Sequence, residues 1–228
     1  MKISINKAFK LWDKYYLPEK IREHTLNVIK VVVFMSEQYL KKGLITNQEQ
    51  MRMIIAAVMH DIMKPICNSG DFEKVKEKYK YTEDQIRFWR KLKIKYPDLN
   101  HEEMIYLELK EDYPSIAKLI RPHGFWFDIT EPNIPTKLLA YSDLRANGSK
   151  VLSIEKRILN LHLAYKHLYT TYEDWLKVVD QDGKLLKLET QLFSKIDAEP
   201  EDCNKLNNIT IEELFKQHNI DKDQEIEG

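Results

Sequence analysis

Apolar side chains recur at spacings of three and four residues along most of the chain, which is the period of an amphipathic α-helix. The clearest case lies between Pro18 and Gly43, because proline is well suited to open a helix and glycine to end it. One face of this segment carries Ile21, His24, Val28, Val31, Met35 and Tyr39. We therefore predict a helix here and expect His24, which shares the apolar face, to point into the core.

Polar residues that cap helix starts predict several further helices. Thr46 and Glu49 form a capping box, and the apolar run that follows predicts a helix that continues until Pro65 stops it. Further helix starts are predicted at Thr82, Asn100, Pro135, Ser153 and Thr171. The last three of these helices are expected to reach about residues 147, 169 and 195, respectively.

Composition supports a helical fold. The chain has 228 residues with 6 glycines and 8 prolines, which fall at expected helix ends and lack the spacing of about 8 to 12 residues that is typical of β folds. The predicted fold class is all-α, as one large domain with a small appendage. We place the domain at residues 1–196 and an acidic C-terminal appendage or frayed tail at residues 197–228. This last segment contains ten acidic residues and three basic ones.

Charge and cysteine content exclude several classes of protein. Thirty-six basic residues balance 36 acidic residues, so nucleic acid is not expected as the main partner. Cys67 and Cys203 are too few for a disulfide framework or a cysteine-built zinc site. The longest apolar run, residues 53–59, is too short to span a membrane, and no apolar signal core follows the first residues. We expect a cytoplasmic protein with no membrane partner.

The placement of histidine is the most informative chemical feature. Four of the seven histidines and two aspartates fall at positions that suit a metal centre: His24, His60, Asp61, His101, His123 and Asp143. Imidazole nitrogen and carboxylate oxygen are ligands for divalent ions such as manganese, iron or zinc. Each residue also has a structural alternative, such as a core position for His24, an exposed one for His101 and an ion pair with Arg145 for Asp143. The order of the whole set favours a metal centre.

That order resembles the HD-domain superfamily of metal-dependent phosphohydrolases. Residues 60–65, His-Asp-Ile-Met-Lys-Pro, are similar to the family's His-Asp-Ile-Gly-Lys-Pro segment, with Met63 in the place of the glycine. His24 resembles the first histidine of the family, and His101 and His123 resemble the third and fourth stations. Residues 140–145 resemble the closing motif, whose aspartate ends the ligand set. The resemblance covers roughly residues 18–170 and indicates a stand-alone member of the family.

The resemblance implies an HD-domain helical bundle with two divalent ions in its core. The first ion is implied to bind His24, His60, Asp61 and Asp143. The second is implied to bind His101 and His123, with Asp61 as a bridge. Because no cysteine belongs to the set, we expect manganese or iron, with nickel, cobalt or zinc as substitutes. The implied reaction is attack by metal-bound hydroxide on a phosphate ester or anhydride of a nucleotide or small phosphorylated metabolite.

Three basic residues are candidates for contact with the substrate. Lys64, assigned with Asp61 to the catalytic group, is expected to contact a substrate phosphate or the bridging carboxylate; the alternative is a surface lysine. Arg145 lies two residues after Asp143 and so diverges from it by ~200° on a helix, which leaves a salt bridge as an alternative to substrate contact. Arg121 precedes His123 near a proline turn and is a further phosphate candidate.

Two other functions remain open at the level of sequence. Some two-iron members of the superfamily activate oxygen, so a di-iron oxygenase is the second enzymatic hypothesis. The third is a metal-binding sensor or scaffold without turnover, which the absence of one metal-ligating residue would indicate. The sequence leaves the identity of the substrate, the native metal and the oligomeric state open.

Overall fold

Helices make up most of the chain in the computed structural model, which describes residues 1–67, 72, 80–124, 127–131, 133–168 and 170–228. The prediction of an all-α fold is confirmed. Within these described ranges, every helix is too short or too polar to cross a membrane.

The helices of the first part of the chain are α1 (Ile5–Lys14), α2 (Glu19–Lys41), α3 (Asn47–Met59), α4 (Lys64–Cys67), α5 (Glu83–Lys95), α6 (His101–Leu109) and α7 (Pro114–Ile120). The second part contains α8 (Ile134–Arg145), α9 (Ile154–Tyr165), α10 (Tyr172–Phe193) and α11 (Ile211–Gln217), with 3₁₀ helices at Lys166–Leu168 and Pro200–Asn208. Four two-residue strands form two antiparallel pairs: β1 (Lys2–Ile3) with β4 (Ile226–Glu227), and β2 (Ala146–Asn147) with β3 (Lys150–Val151).

The predicted helix starts are confirmed by their caps. Thr46, Thr82 and Thr171 each form a capping box with the third residue of the helix that they precede, and Asn100 and Ser153 accept a hydrogen bond from the corresponding backbone N–H. These bonds satisfy donors that the first helical turn leaves unpaired. The predicted helix end near residue 169 falls on a residue outside the described part of the chain.

Helices α2 and α3 lie at the centre of the bundle. Helix α2 packs against both α3 and α8, and its predicted apolar face is buried from His24 to Tyr39, with Ile21 partly buried. The residues of α3 from Met53 to Met59 are also fully buried. Because α3 is apolar on nearly all sides, it can lie only between other helices, and its carboxyl end therefore opens into the interior of the protein.

One predicted helix end was wrong. Helix α3 ends at Met59 and does not continue to Pro65, which instead lies inside the short helix α4. Proline has no N–H, and its ring excludes the carbonyl four residues earlier, so the regular ladder cannot pass through this point. Bonds of the i to i−3 type replace it, from the N–H of Ile62 to the carbonyl of Met59 and from that of Lys64 to Asp61. The resulting turn carries His60 and Asp61.

The C-terminal segment packs against the same core as the rest of the chain. Its buried apolar residues are Cys203, Leu206, Ile211, Leu214, Phe215 and Ile226. Helix α11 contacts α2, and β4 pairs with β1 at the opposite end of the sequence. Residues of this segment therefore share the core of the preceding helices, and the domain boundary at residue 196 stays a prediction.

Candidate metal centre

Six side chains from five parts of the fold converge at the carboxyl end of α3. His24 comes from α2, His60 and Asp61 from the turn after α3, and His101 from the first residue of α6. His123 follows α7 by three residues, and Asp143 lies in the last turn of α8. The structure thus brings together all six residues that the sequence nominated as metal ligands.

Asp61 lies at the middle of this cluster. Its Oδ2 atom is 3.6 Å from Nε2 of His24 and 3.5 Å from Nε2 of His60. Its Oδ1 atom is 3.2 Å from Nε2 of His101 and 3.9 Å from Nε2 of His123. The two oxygens of one carboxylate therefore face two different pairs of histidines.

Asp143 completes the side of the cluster that contains Oδ2 of Asp61. Its Oδ1 atom lies 2.8 Å from Nε2 of His24 and 3.5 Å from Nε2 of His60. Donor atoms of His24, His60 and Asp143 lie within 4.8 Å of one another, and so do those of His60, Asp61 and His123. Each trio offers nitrogen and oxygen donors close enough to hold a metal ion.

Hydrogen bonds orient two of the imidazole rings. Nδ1 of His60 donates to the carbonyl of Ala57 at 2.7 Å, and Nδ1 of His123 donates to the carbonyl of Ile120. A carbonyl only accepts, so the proton must be on Nδ1, and the lone pair on Nε2 faces the cluster. Both Nε2 atoms are buried and have no hydrogen-bond partner among the described residues. Buried unpartnered acceptors that share a centre with carboxylates fit a bound cation.

The carboxylates in the cluster are held in the anionic form. Burial raises the pKa of Asp61, but the charges of Lys64 and His60 outweigh it and hold that pKa well below its ordinary value. Burial also raises the pKa of Asp143, but the nearby imidazoles of His24 and His60 hold it well below its ordinary value. Ionised carboxylates are the form that binds a metal.

The pKa values of the two histidines on this side shift in opposite directions. Burial lowers the pKa of His24 below its ordinary value, so this ring is neutral and available as a ligand. Burial also lowers the pKa of His60, but Asp61 and Asp143 more than offset this effect, and the net pKa is raised. A cation at His60 must therefore compete with a proton.

Lys64 contacts the cluster directly. Its Nζ atom lies 2.6 Å from Oδ2 of Asp61, and about a third of the side chain, 30%, is exposed. Burial lowers the pKa of Lys64, but Asp61 and Asp143 more than offset it, so the ammonium stays charged. Of the alternatives for Lys64, the structure shows the contact with the bridging carboxylate.

Two residues, Glu102 and Arg157, were not nominated as site residues from the sequence. Glu102 places Oε2 3.0 Å from Nδ1 of His101 and forms a third donor trio with His101 and His123. Gly124 has φ +122°, and a Cβ atom there would lie 2.9 Å from Oε1 of Glu102. In the sequence, the glycine directly after His123 is the feature that could have indicated this close approach of the Glu102 carboxylate.

Arg157 is the second residue that sequence reasoning missed. Its Nη1 atom donates to Oδ1 of Asn147 at 3.0 Å, and its Nε atom is buried with no hydrogen-bond partner among the described residues. Its charge lies close enough to Lys64 to oppose the raised pKa of that ammonium. The side-chain amide of Asn27, which is on the helix of His24, donates to the backbone carbonyl of Gly148 and anchors the same turn. The charge of Arg157 therefore acts on Lys64, as the smallest of the causes that shift the pKa of that ammonium.

Arg145 points away from the cluster and is fully buried elsewhere. Its guanidinium lies 2.9 Å from Glu189 and donates to the hydroxyl of Tyr141, to the carbonyl of Pro200 and to the side chain of Asn204. These contacts join α8 to α10 and to the second 3₁₀ helix. Arg145 has the salt bridge that was the alternative to substrate contact.

Arg121 is on the surface. It forms a bidentate pair with Glu103 at 2.7 and 3.1 Å, and its guanidinium lies 4.4 Å from the ring centroid of Tyr106. Half of the side chain, 51%, is exposed. Its charge is therefore already paired with a neighbouring carboxylate.

Comparisons of the chain with protein-family models, curated proteins and solved structures gave no match. The chemistry of the centre must therefore be argued from its own residues.

Proposed function

We propose that the chain is a metal-dependent phosphohydrolase that cleaves a phosphate ester or anhydride of a nucleotide or small phosphorylated metabolite. The observation that carries this proposal is the position of Asp61, whose two oxygens face separate pairs of histidines. A carboxylate in this position suits two adjacent divalent ions, which is the arrangement of many phosphoryl-transfer sites.

The donor set assigns a ligand group to each of two ions. His24, His60, Asp61 and Asp143 would hold the first, and His101, His123 and Glu102 would hold the second together with Asp61. Nitrogen and oxygen donors without sulfur favour manganese or iron. Divalent ions held there would polarise a phosphoryl group and lower the pKa of a coordinated water.

The charges around the centre match a phosphorylated substrate. Three carboxylates (Asp61, Asp143 and Glu102) and two cations (Lys64 and Arg157) sum to −1, and two divalent ions would bring the sum to +3. An anion such as a phosphate neutralises this excess. Lys64 and Arg157 have no use as ligands, and their place beside the carboxylates supports binding and orientation of substrate phosphate oxygens.

The test combines metal analysis with a hydrolysis assay. Protein purified without chelator is assayed for phosphate release from a panel of phosphate esters and anhydrides with added manganese or iron. Asp61→Asn is expected to reduce turnover by more than about 100-fold, since loss of a partner of a ligand alone reduces activity by 10- to 100-fold. Asp84→Asn, at an exposed carboxylate on α5, is the control and should match the wild type.

Three results would contradict this function. The first is full turnover by Asp61→Asn, and the second is no phosphate release from any substrate by metal-loaded protein. The third is oxygen consumption by the iron-loaded protein without phosphate release, which would favour the oxygenase.

Metal stoichiometry tests the second ion separately. We expect two ions per chain at saturation and about one in His101→Ala, because His24, His60 and Asp143 remain in place. His167→Ala, at an exposed histidine outside the centre, is the matched control. A stoichiometry near one that His101→Ala leaves unchanged would rule out the second ion.

A further inference from the structure

Helix α10 carries apolar residues on two opposite faces. One face is buried in the core by Val178, Leu185, Leu188 and Leu192. The other face exposes Tyr172 (72%), Leu176 (48%), Val179 (46%) and Leu186 (40%). A surface helix normally has one apolar face, and a helix with two normally packs between two partners.

The exposed residues follow the spacing of a coiled-coil seam. Tyr172, Leu176, Val179, Gly183 and Leu186 are separated by four, three, four and three residues. Gly183 is a poor residue for the interior of a helix, and a Cβ atom there would meet nothing within 4 Å. Contacts within the same chain therefore do not explain why this residue is glycine. The close approach of another backbone would explain it.

The charges beside this seam indicate what that backbone is. Asp180 and Lys187 flank the seam on the same side and are centred on the 183–184 bond. In an antiparallel pair of α10 helices that cross at Gly183, Asp180 of each copy faces Lys187 of the other. The pair therefore contains two such contacts. A parallel pair would instead place Asp180 opposite Trp175, which carries no charge. Among the described residues of the single chain, the ion pair of Asp180 is an exposed one with Lys184 at 2.7 Å, and such pairs are weak.

The exposed area is sufficient for a specific dimer. Applied to ordinary side-chain areas, the exposed fractions of the seam residues and of Trp175 amount to about 500 Å² per copy, or about 1,000 Å² for the pair, which is the lower limit of specific interfaces. Leu159 and Leu163 on the neighbouring α9 add to the apolar surface of this pair of helices, with 58% and 62% of their side chains exposed.

We propose that α10 binds α10 of a second copy of this chain in an antiparallel, two-fold symmetric pair that crosses at Gly183. A two-fold axis lets one patch serve both sides of the interface. The pairing uses none of the residues of the metal centre and stands whether or not the chain is a hydrolase.

The mass of the full-length protein in solution tests this pairing. Sedimentation or light scattering between about 1 and 100 μM is expected to show a dimer with a Kd in the micromolar range or below. Leu176→Glu and Gly183→Gln should each weaken dimerisation by more than about 10-fold without loss of helicity, because both positions are open in the single chain. Ile94→Glu, at an 80% exposed apolar residue on α5, is the control and should leave the dimer unchanged.

Charge exchange tests the antiparallel register. Asp180→Lys should weaken the dimer, and Asp180→Lys combined with Lys187→Asp should restore it. A wild-type monomer at all these concentrations overturns the proposal, as does a dimer that resists both Leu176→Glu and Gly183→Gln. Failure of the double exchange to restore the dimer overturns the crossing at Gly183.

Discussion

Asp61 shows how much of the chemistry depends on the orientation of one side chain. It is 1% exposed, and its two oxygens separate the histidines of the centre into two groups. The orientation of His60 and His123 comes from the carbonyls of Ala57 and Ile120 near helix ends, which accept from Nδ1. At this scale, the ligands are placed by ordinary backbone chemistry.

Arg157 yields a prediction at the residue scale. Arg157→Gln should raise the KM for a phosphorylated substrate by about 10-fold or more, because a charge-assisted contact to phosphate is lost. The metal content should stay unchanged, since Arg157 offers no ligand atom. Lys156→Gln, at the exposed neighbouring position, is the control. Equal KM values for Arg157→Gln and the wild type would show that Arg157 serves only to hold Asn147.

At the scale of elements, the site exists because helices end where they do. Helix α3 ends at Met59, and the turn between it and α4 presents His60 and Asp61. Asn100 caps α6, so that His101 is its first residue. Helix α8 carries Asp143 in its last turn and is fastened to α10 by the buried pair of Arg145 and Glu189.

Substitution of the two arginines nominated as substrate contacts should have different effects on the free energy of unfolding. Arg145→Met leaves the Glu189 carboxylate without its buried partner, so unfolding free energy should fall by about 3 kcal/mol or more. Arg121→Met removes only an exposed pair with Glu103 and should change it by less than about 1 kcal/mol. Chemical denaturation of both variants measures the difference. Equal stability of the two would contradict the structural role of Arg145.

At the scale of the whole molecule, the two ends of the chain are joined. The strand pair β1–β4 places Ile3 opposite Ile226, and the N–H of Asn6 donates to the carbonyl of Lys222. Helix α11, which lies in the C-terminal segment, also packs against α2. The division of the chain at residue 196 that composition indicated therefore runs through a shared core.

Truncation tests this whole-molecule arrangement. A chain that ends at residue 196 loses several buried apolar side chains, including Leu214 and Phe215. Each loss of this size is worth about 2 to 5 kcal/mol, and the total exceeds the usual stability of a domain, about 5 to 15 kcal/mol. We expect the truncated chain to lack a cooperative thermal transition by circular dichroism. A transition like that of the full-length protein would show that residues 1–196 fold independently.

The amino-acid sequence by itself determined the helices and the identity of the candidate ligands. Periodicity and capping are interactions within about four residues, so the starts at Thr46, Thr82 and Thr171 could be predicted without any knowledge of packing. The ligands could be nominated because their residue types and order are visible in the chain. The helix end at Pro65 was misjudged, where a turn and a short helix replace a simple stop, and helices α1, α7 and α11 were not predicted.

The tertiary structure alone decided how these side chains face one another. His24 and Asp143 are 119 residues apart in sequence, yet their donor atoms lie 2.8 Å apart. The central position of Asp61 among the histidines and the burial of Arg145 depend on similar long-range contacts. No local rule specifies such contacts, because they form only when several helices pack at once and each fixes the position of the others.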